Sequence, residues 1–158
     1  AAVLRARVDR LGRHLHLVPL PRGAWLAGPE RRPAHALTHA PPPMHTDSNC
    51  IFCKIAAGQI PSRKVYEDDE LIAFHDIAPW APVHILIVPR EHIGSMQEVT
   101  EAHQALLGKM MVLSTLLMRE LGVTNGYRHV INTGADGGQE VGHLHLHVMG
   151  GPRPWNKG

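Results

Sequence analysis

Seven residues near the C-terminus, His143-Leu144-His145-Leu146-His147-Val148-Met149, alternate imidazole with apolar side chains, and no other stretch constrains the fold so tightly. A period of two belongs to a half-buried strand, whose successive side chains point to opposite faces. Leu144, Leu146 and Val148 are therefore expected to face a core. The three imidazoles should share the other face, roughly 7 Å apart at a rise of ~3.3 Å per residue. Near neutral pH, histidine can exchange a proton, attack an electrophile or bind a metal. The pattern alone admits an exposed strand decorated by chance or a processing tag, a pair of metal ligands, or nucleophilic and acid-base chemistry. Just upstream, Gly137-Gly138-Gln139 places backbone that can approach an anion closely, which favours phosphate chemistry.

The rest of the chain supplies a scaffold for such a strand. A short helix is expected over residues 49–57, capped by Asn49 and stopped by Gly58. Residues 65–67 and 71–75 spell a hairpin around Asp68-Asp69, and the β-branched residues 83–88 a central strand ended by Pro89. Thr100 is placed to cap a long helix whose buried stripe is Leu106, Met110, Leu113, Leu117 and Leu121, with Gly122 as its stop. Met110, Met111 and Met118 are expected to fill the core on that helix. Residues 127–132 form the next strand. These elements predict an α+β fold: an antiparallel sheet of about five strands, one long helix and a short N-terminal helix.

Charge and proline divide the chain. Residues 1–43 hold seven arginines, two acids and seven of the thirteen prolines, whereas residues 44–158 hold nine Lys/Arg against twelve acids. The first segment is expected to be a disordered Arg/Pro-rich extension, with Met44 as the functional start; its prolines interrupt the amphipathic helix that a targeting peptide would need. The second is expected to form one domain, and 44% hydrophobic residues suffice for its core. Its mildly acidic balance argues against a nucleic-acid partner. No apolar run approaches the ~20 residues of a membrane helix. The only cysteines, Cys50 and Cys53, have the spacing of metal or redox chemistry, which points to a reducing, cytoplasmic setting.

The histidine row, together with Asp136-Gly137-Gly138-Gln139, Ala73-Phe74-His75-Asp76-Ile77, Ala81-Pro82-Val83-His84 and Cys50-Ile51-Phe52-Cys53-Lys54-Ile55, resembles the histidine-triad (HIT) superfamily over residues 48–155. Within it the chain most resembles the histidine-triad nucleotide-binding branch of homodimeric purine nucleoside phosphoramidases. The resemblance implies that His145 is the nucleophile and forms a nucleotidyl-histidine, that His147 contacts the phosphate and leaving group, and that His84 lines the same pocket. It also implies nucleotide contacts from Phe74, Asp76, Ile77, Asn132, Gly138 and Gln139. Glu140 stands where some members carry a small hydroxyl residue, and an anion there would favour cationic leaving groups. No cofactor is required for this chemistry.

Some relatives hold a structural zinc, and the corresponding residues here are Cys50, Cys53, His92 and His143. The implied partners are a purine nucleotide or phosphoramidate and a second copy of the chain, with no membrane and no nucleic acid. Trp155 resembles a C-terminal tryptophan that reaches the partner's pocket, and a frayed tail is the alternative. A dinucleoside polyphosphate hydrolase and a nucleotide- or zinc-binding regulatory protein with incidental hydrolysis are the rival readings.

Overall fold

The computed structural model describes residues 44–156. The Arg/Pro-rich segment 1–43, and with it the expected disorder, lies outside them. Helix α1 spans Ile51–Ala56, followed by strands β1 (Lys64–Glu67), β2 (Leu71–His75) and β3 (Val83–Pro89). Helix α2 (Gln104–Glu120) leads to β4 (Tyr127–Val130) and β5 (Leu146–Gly150). The five strands form one antiparallel sheet in the order β1-β2-β3-β5-β4, as expected from the α+β reading. Among the described residues no helix is long and apolar enough to cross a membrane.

Strand alternation divides the sheet into two unlike faces. Ile85 and Ile87 of β3 and Leu146 and Val148 of β5 point to one side, where Met110, Leu113, Leu117 and Met118 of α2 close a dry core. On the opposite side Ile72, Phe74, Leu86 and Val88 meet Phe52, Cys53, Ile55 and Ala56 of α1. The buried row of α2 repeats every three to four residues, so one stripe of the helix carries its packing. Met118 belongs to that stripe. Met111 does not, and at 44% exposure it corrects the expectation that all three helix methionines fill the core.

Three boundaries differ from the sequence expectation. Cys50, not Asn49, occupies the cap of α1, because Asp47 folds the preceding turn by accepting the Asn49 N–H on its side chain and the Cys50 N–H on its carbonyl. Thr100 opens a 3-10 turn, Glu101–His103, before α2 proper begins, and its N–H donates to His103 Nδ1 at 2.9 Å. Most consequentially, the histidine row is not one strand. β5 begins at Leu146, so His143 and His145 precede it. The reason lies in the neighbouring chain. Pro89 has no N–H to continue a ladder, its carbonyl accepts from the His143 ring, and the Leu144 N–H bonds Ile93 O instead.

Candidate functional site

The alternation nevertheless survives through residues 143–147, and all three imidazoles lie on the α1 side of the sheet, buried rather than facing water. Each has a different set of partners.

His143 Nε2 donates to Pro89 O at 2.9 Å, which leaves the Nδ1 lone pair directed at two sulfurs, Cys50 Sγ at 3.3 Å and Cys53 Sγ at 3.6 Å. Cys53 Sγ also lies 3.4 Å from His92 Nδ1. The four ligand atoms are all within 4.8 Å of one another. Bond lengths of ~2.3 Å to sulfur and ~2.0 Å to nitrogen put tetrahedral zinc ligands about 3.6 Å apart, so the donor set and its spacing fit zinc. A ligating imidazole that gives its other N–H to a backbone carbonyl is also the usual outer-shell arrangement. α1 supplies both thiols, the end of β3 supplies the carbonyl and the following segment supplies His92. The sequence-predicted quartet is therefore brought together.

His145 differs. Its Nδ1 is 2.6 Å from the His143 carbonyl and must carry the proton, so Nε2 holds a lone pair. The adjoining histidines are ordered by a second chain of bonds. The Trp80 backbone N–H donates to His84 Nδ1 at 3.2 Å, which fixes the His84 proton on Nε2. That proton is shared with His147 Nδ1 at 2.9 Å, and His147 is left with its own N–H on Nε2. Asp76 Oδ2 stands 3.6 Å from His84 Nε2. Burial drives the His147 pKa down to about 4, assisted by the neighbouring charges of His145 and His84, and it lowers that of His84 as well. Asp76, His84 and His147 also cluster at metal-ligand distances. The Trp80 bond commits the His84 Nε2 to a proton, however, and the trio fits a hydrogen-bond relay better than a cation.

A cavity of about 880 Å³ opens in front of these rings. Its lining includes His145, His147, Asn132, Gly138 and Glu140, together with an apolar slot made by Phe52 and Ile55 of α1 with Phe74 and Leu86 of the sheet. Asp76 and the fully exposed Ile77 stand at its side. The loop between β4 and the histidines is shaped by glycine: a Cβ at Gly137 would sit 2.3 Å from Thr133 O, and Gly138 has φ +69°. Asn132 Nδ2 donates to Gly137 O.

Gln139 does not line the cavity. Its side chain accepts the Gly134 N–H at 2.9 Å and donates to Gly94 O and Val141 O at 2.7 and 2.9 Å, so it braces the loop from behind.

A HIT domain family model matches residues 57–153. The chain belongs to the HIT family. Protein HitA of Neisseria gonorrhoeae is 52% identical over 104 residues, which is 66% of this chain and 97% of that protein. A HIT-like protein of Synechococcus elongatus is 52% identical over 101 residues, 64% of this chain and 89% of its own length. Among solved structures, a HIT family hydrolase from Legionella pneumophila superposes with a TM-score of 0.65 at 44% identity, covering 66% of this chain and 95% of its own. A histidine triad protein from Clostridium difficile does so with a TM-score of 0.66, also at 44% identity, covering 68% and 95%.

Within this HIT domain the sequence pattern did not single out Trp80. Its ring stacks on His147 at 5.4 Å with 14° between planes, and its N–H orients His84. The available signal was its place between Pro79 and Pro82, which stiffen the loop over the histidines. Ser62 and Arg63 were likewise unassigned and line the slot. His103 caps the turn before α2 and His129 meets Ser114 Oγ at 2.8 Å, both structural roles. Trp155 Nε1 donates to Gly151 O, and its ring has the Arg153 guanidinium 4.1 Å from its centre, so within one chain the tail is packed rather than frayed.

Proposed function

We propose that this HIT protein is a nucleotidyl hydrolase of the phosphoramidase branch, cleaving purine nucleoside 5′-phosphoramidates or aminoacyl-adenylates. The carrying observation is the 2.6 Å bond from His145 Nδ1 to the His143 carbonyl, which holds a proton on Nδ1 and leaves Nε2 as the nitrogen available to phosphorus. The hydrolase title of the Legionella relative agrees with this reading. Nε2 attacks the α-phosphorus in line and the bond to the leaving group breaks. In a phosphoramidate this is P–N, and the amine leaves with a proton passed from solvent by way of His147, whereas in an aminoacyl-adenylate it is P–O, and a carboxylate leaves. Water then displaces the histidine and releases the nucleoside monophosphate.

The other residues divide the remaining work. His147, with its N–H on Nε2, donates to a phosphoryl oxygen or to the leaving-group atom, which is nitrogen in a phosphoramidate, and its low pKa keeps it neutral beside the ring that must attack. The base enters the slot that Phe52 and Phe74, themselves packed edge-on, line together with Ile77. Asp76 accepts from the ribose hydroxyls while the Gly138 loop, Asn132 and the braced Gln139 shape the phosphate end. Glu140, exposed at the same end, meets the departing group and favours a cationic one. Cys50, Cys53, His92 and His143 would hold zinc, which would pin α1 to the sheet and take no part in the bond changes. The exposed Met111, Val112 and Leu116 on α2 offer an apolar face for a second copy.

The test is turnover of adenosine phosphoramidate with intact-mass analysis of the quenched enzyme. A nucleotidyl adduct mapped to His145, and loss of AMP release in His145→Ala, are expected. Retained turnover in that variant refutes the mechanism, and faster cleavage of a diadenosine polyphosphate would move the chain to the rival hydrolase class.

A further inference from the structure

Two chemically separate sites meet at one residue. The His143 ring is gripped at both nitrogens, Nε2 by Pro89 O at 2.9 Å and Nδ1 facing Cys50 and Cys53 Sγ at 3.3 and 3.6 Å. The carbonyl of the same residue receives the Nδ1–H of His145. The ring is fully buried and held from two sides, and the 143–144 peptide that carries the carbonyl is held in turn by the Leu144 N–H on Ile93 O, next to the donor His92. Phe52 adds a second link. It stands between the two cysteines in sequence, and its ring packs edge-on against both His143 at 5.9 Å and His145 at 5.2 Å.

We propose that His143 is a positioning residue through which filling of the Cys50, Cys53, His92 and His143 site by a zinc-type divalent cation sets the tautomer and orientation of His145. The inference rests on the reading of His145 as nucleophile and extends it to control of that site. With the cation bound, the His143 carbonyl is held where it takes the His145 Nδ1–H, and Nε2 keeps its lone pair. With the cation removed, His143 Nδ1 and His92 lose their common anchor, the peptide held between His143 and Ile93 O loosens, and His145 samples the tautomer with the proton on Nε2, which cannot attack. Misplacing a reacting group by an ångström costs on the order of a hundredfold in rate.

The test compares the full chain carrying one equivalent of zinc with the same chain after exhaustive chelation and with His92→Asn, which removes a ligand supplied by a different segment from residues 143–145. Long-range 15N–1H spectra of histidine-labelled protein report the His145 tautomer, assigned by its loss in His145→Ala. The zinc form is expected to show one Nδ1–H species with a hydrogen-bonded proton. The chelated form and His92→Asn are expected to show mixed tautomers, together with a burst of nucleotidyl-enzyme formation slower by about tenfold to a hundredfold.

A purely structural metal would lower Tm and leave the His145 spectrum unchanged, and that result overturns the proposal. Failure to retain zinc by native mass spectrometry overturns it as well. His92→Asn keeps the comparison valid if chelation unfolds the chain. A spectrum that responds to zinc in a protein forming no nucleotidyl adduct would support the coupling and refute the hydrolase reading, so the two fail separately.

Discussion

Replacing His147 by glutamine should flatten the acid sensitivity of this domain. His147 is 8% exposed and burial holds its pKa near 4, against 6.5 for a free imidazole. Because the folded value lies below the unfolded one, the unfolded chain binds the extra proton between those two pH values. Stability is therefore fully present above pH 6.5 and lost as pH falls toward 4. For pKa values of about 4 and 6.5, the loss between pH 7 and pH 5 is about 2 kcal/mol, rising to about 3 kcal/mol at pH 4.

Glutamine keeps a similar length and offers its carbonyl to the His84 Nε2–H, so the cavity is not emptied and the relay keeps an acceptor. Urea unfolding of wild type and His147→Gln at pH 7 and pH 5 isolates the effect. Changes from metal release and from histidines that do not touch His147 occur in both proteins and cancel in the difference. The wild type should lose about 2 kcal/mol more than the variant over that interval. If the two lose equal amounts within about 0.5 kcal/mol, the assignment of His147 as a buried neutral ring is wrong.

Further outcomes follow from the same geometry. Trp80→Ala removes the ring stacked on His147 while leaving the backbone N–H that orients His84, so kcat/KM for a nucleoside phosphoramidate should fall about tenfold, measured by AMP release. His84→Ala deletes the donor to His147 Nδ1 and frees the His147 tautomer; a loss of 1–3 kcal/mol in transition-state stabilisation, roughly 5- to 150-fold in kcat with little change in KM, is expected from steady-state kinetics. Met118→Ala, at a fully buried position under the sheet, should cost about 2–5 kcal/mol in urea unfolding without altering the His145 adduct. Gly137→Ala drives a methyl into the Thr133 backbone and should both weaken AMP binding in a calorimetric titration and lower the Tm.

The elements that sequence made legible are those with a strong period or a hard stop. β2 matches its predicted span because Leu71 to His75 is apolar and bounded by turn residues, and α2 ends before Gly122 as its left-handed terminus requires. The quartet of zinc-type donors was legible only through family resemblance, since nothing in residues 50–53 reveals that a histidine 90 residues later approaches them. Gln139 was assigned to the nucleotide through the family resemblance, and its amide is engaged by three backbone groups that no local pattern announces. Trp80 was invisible for the opposite reason: its contacts with His147 and His84 form only after β3 and β5 pair, and tertiary pairing has no local signature.

The early end of the β3–β5 ladder has a consequence of its own. Three imidazoles on an uninterrupted strand would be near-copies of one another, equally spaced and equally solvated, and a repeated motif would yield a repeated property. One imino acid at position 89 breaks that translational symmetry, because the carbonyl it leaves for a side chain turns the first ring of the row away from its successors. Grafting the same alternating histidines onto a regular strand of another sheet would therefore reproduce the spelling and not the division of labour. An attempt to transplant this chemistry has to carry the proline across the sheet as well as the row itself.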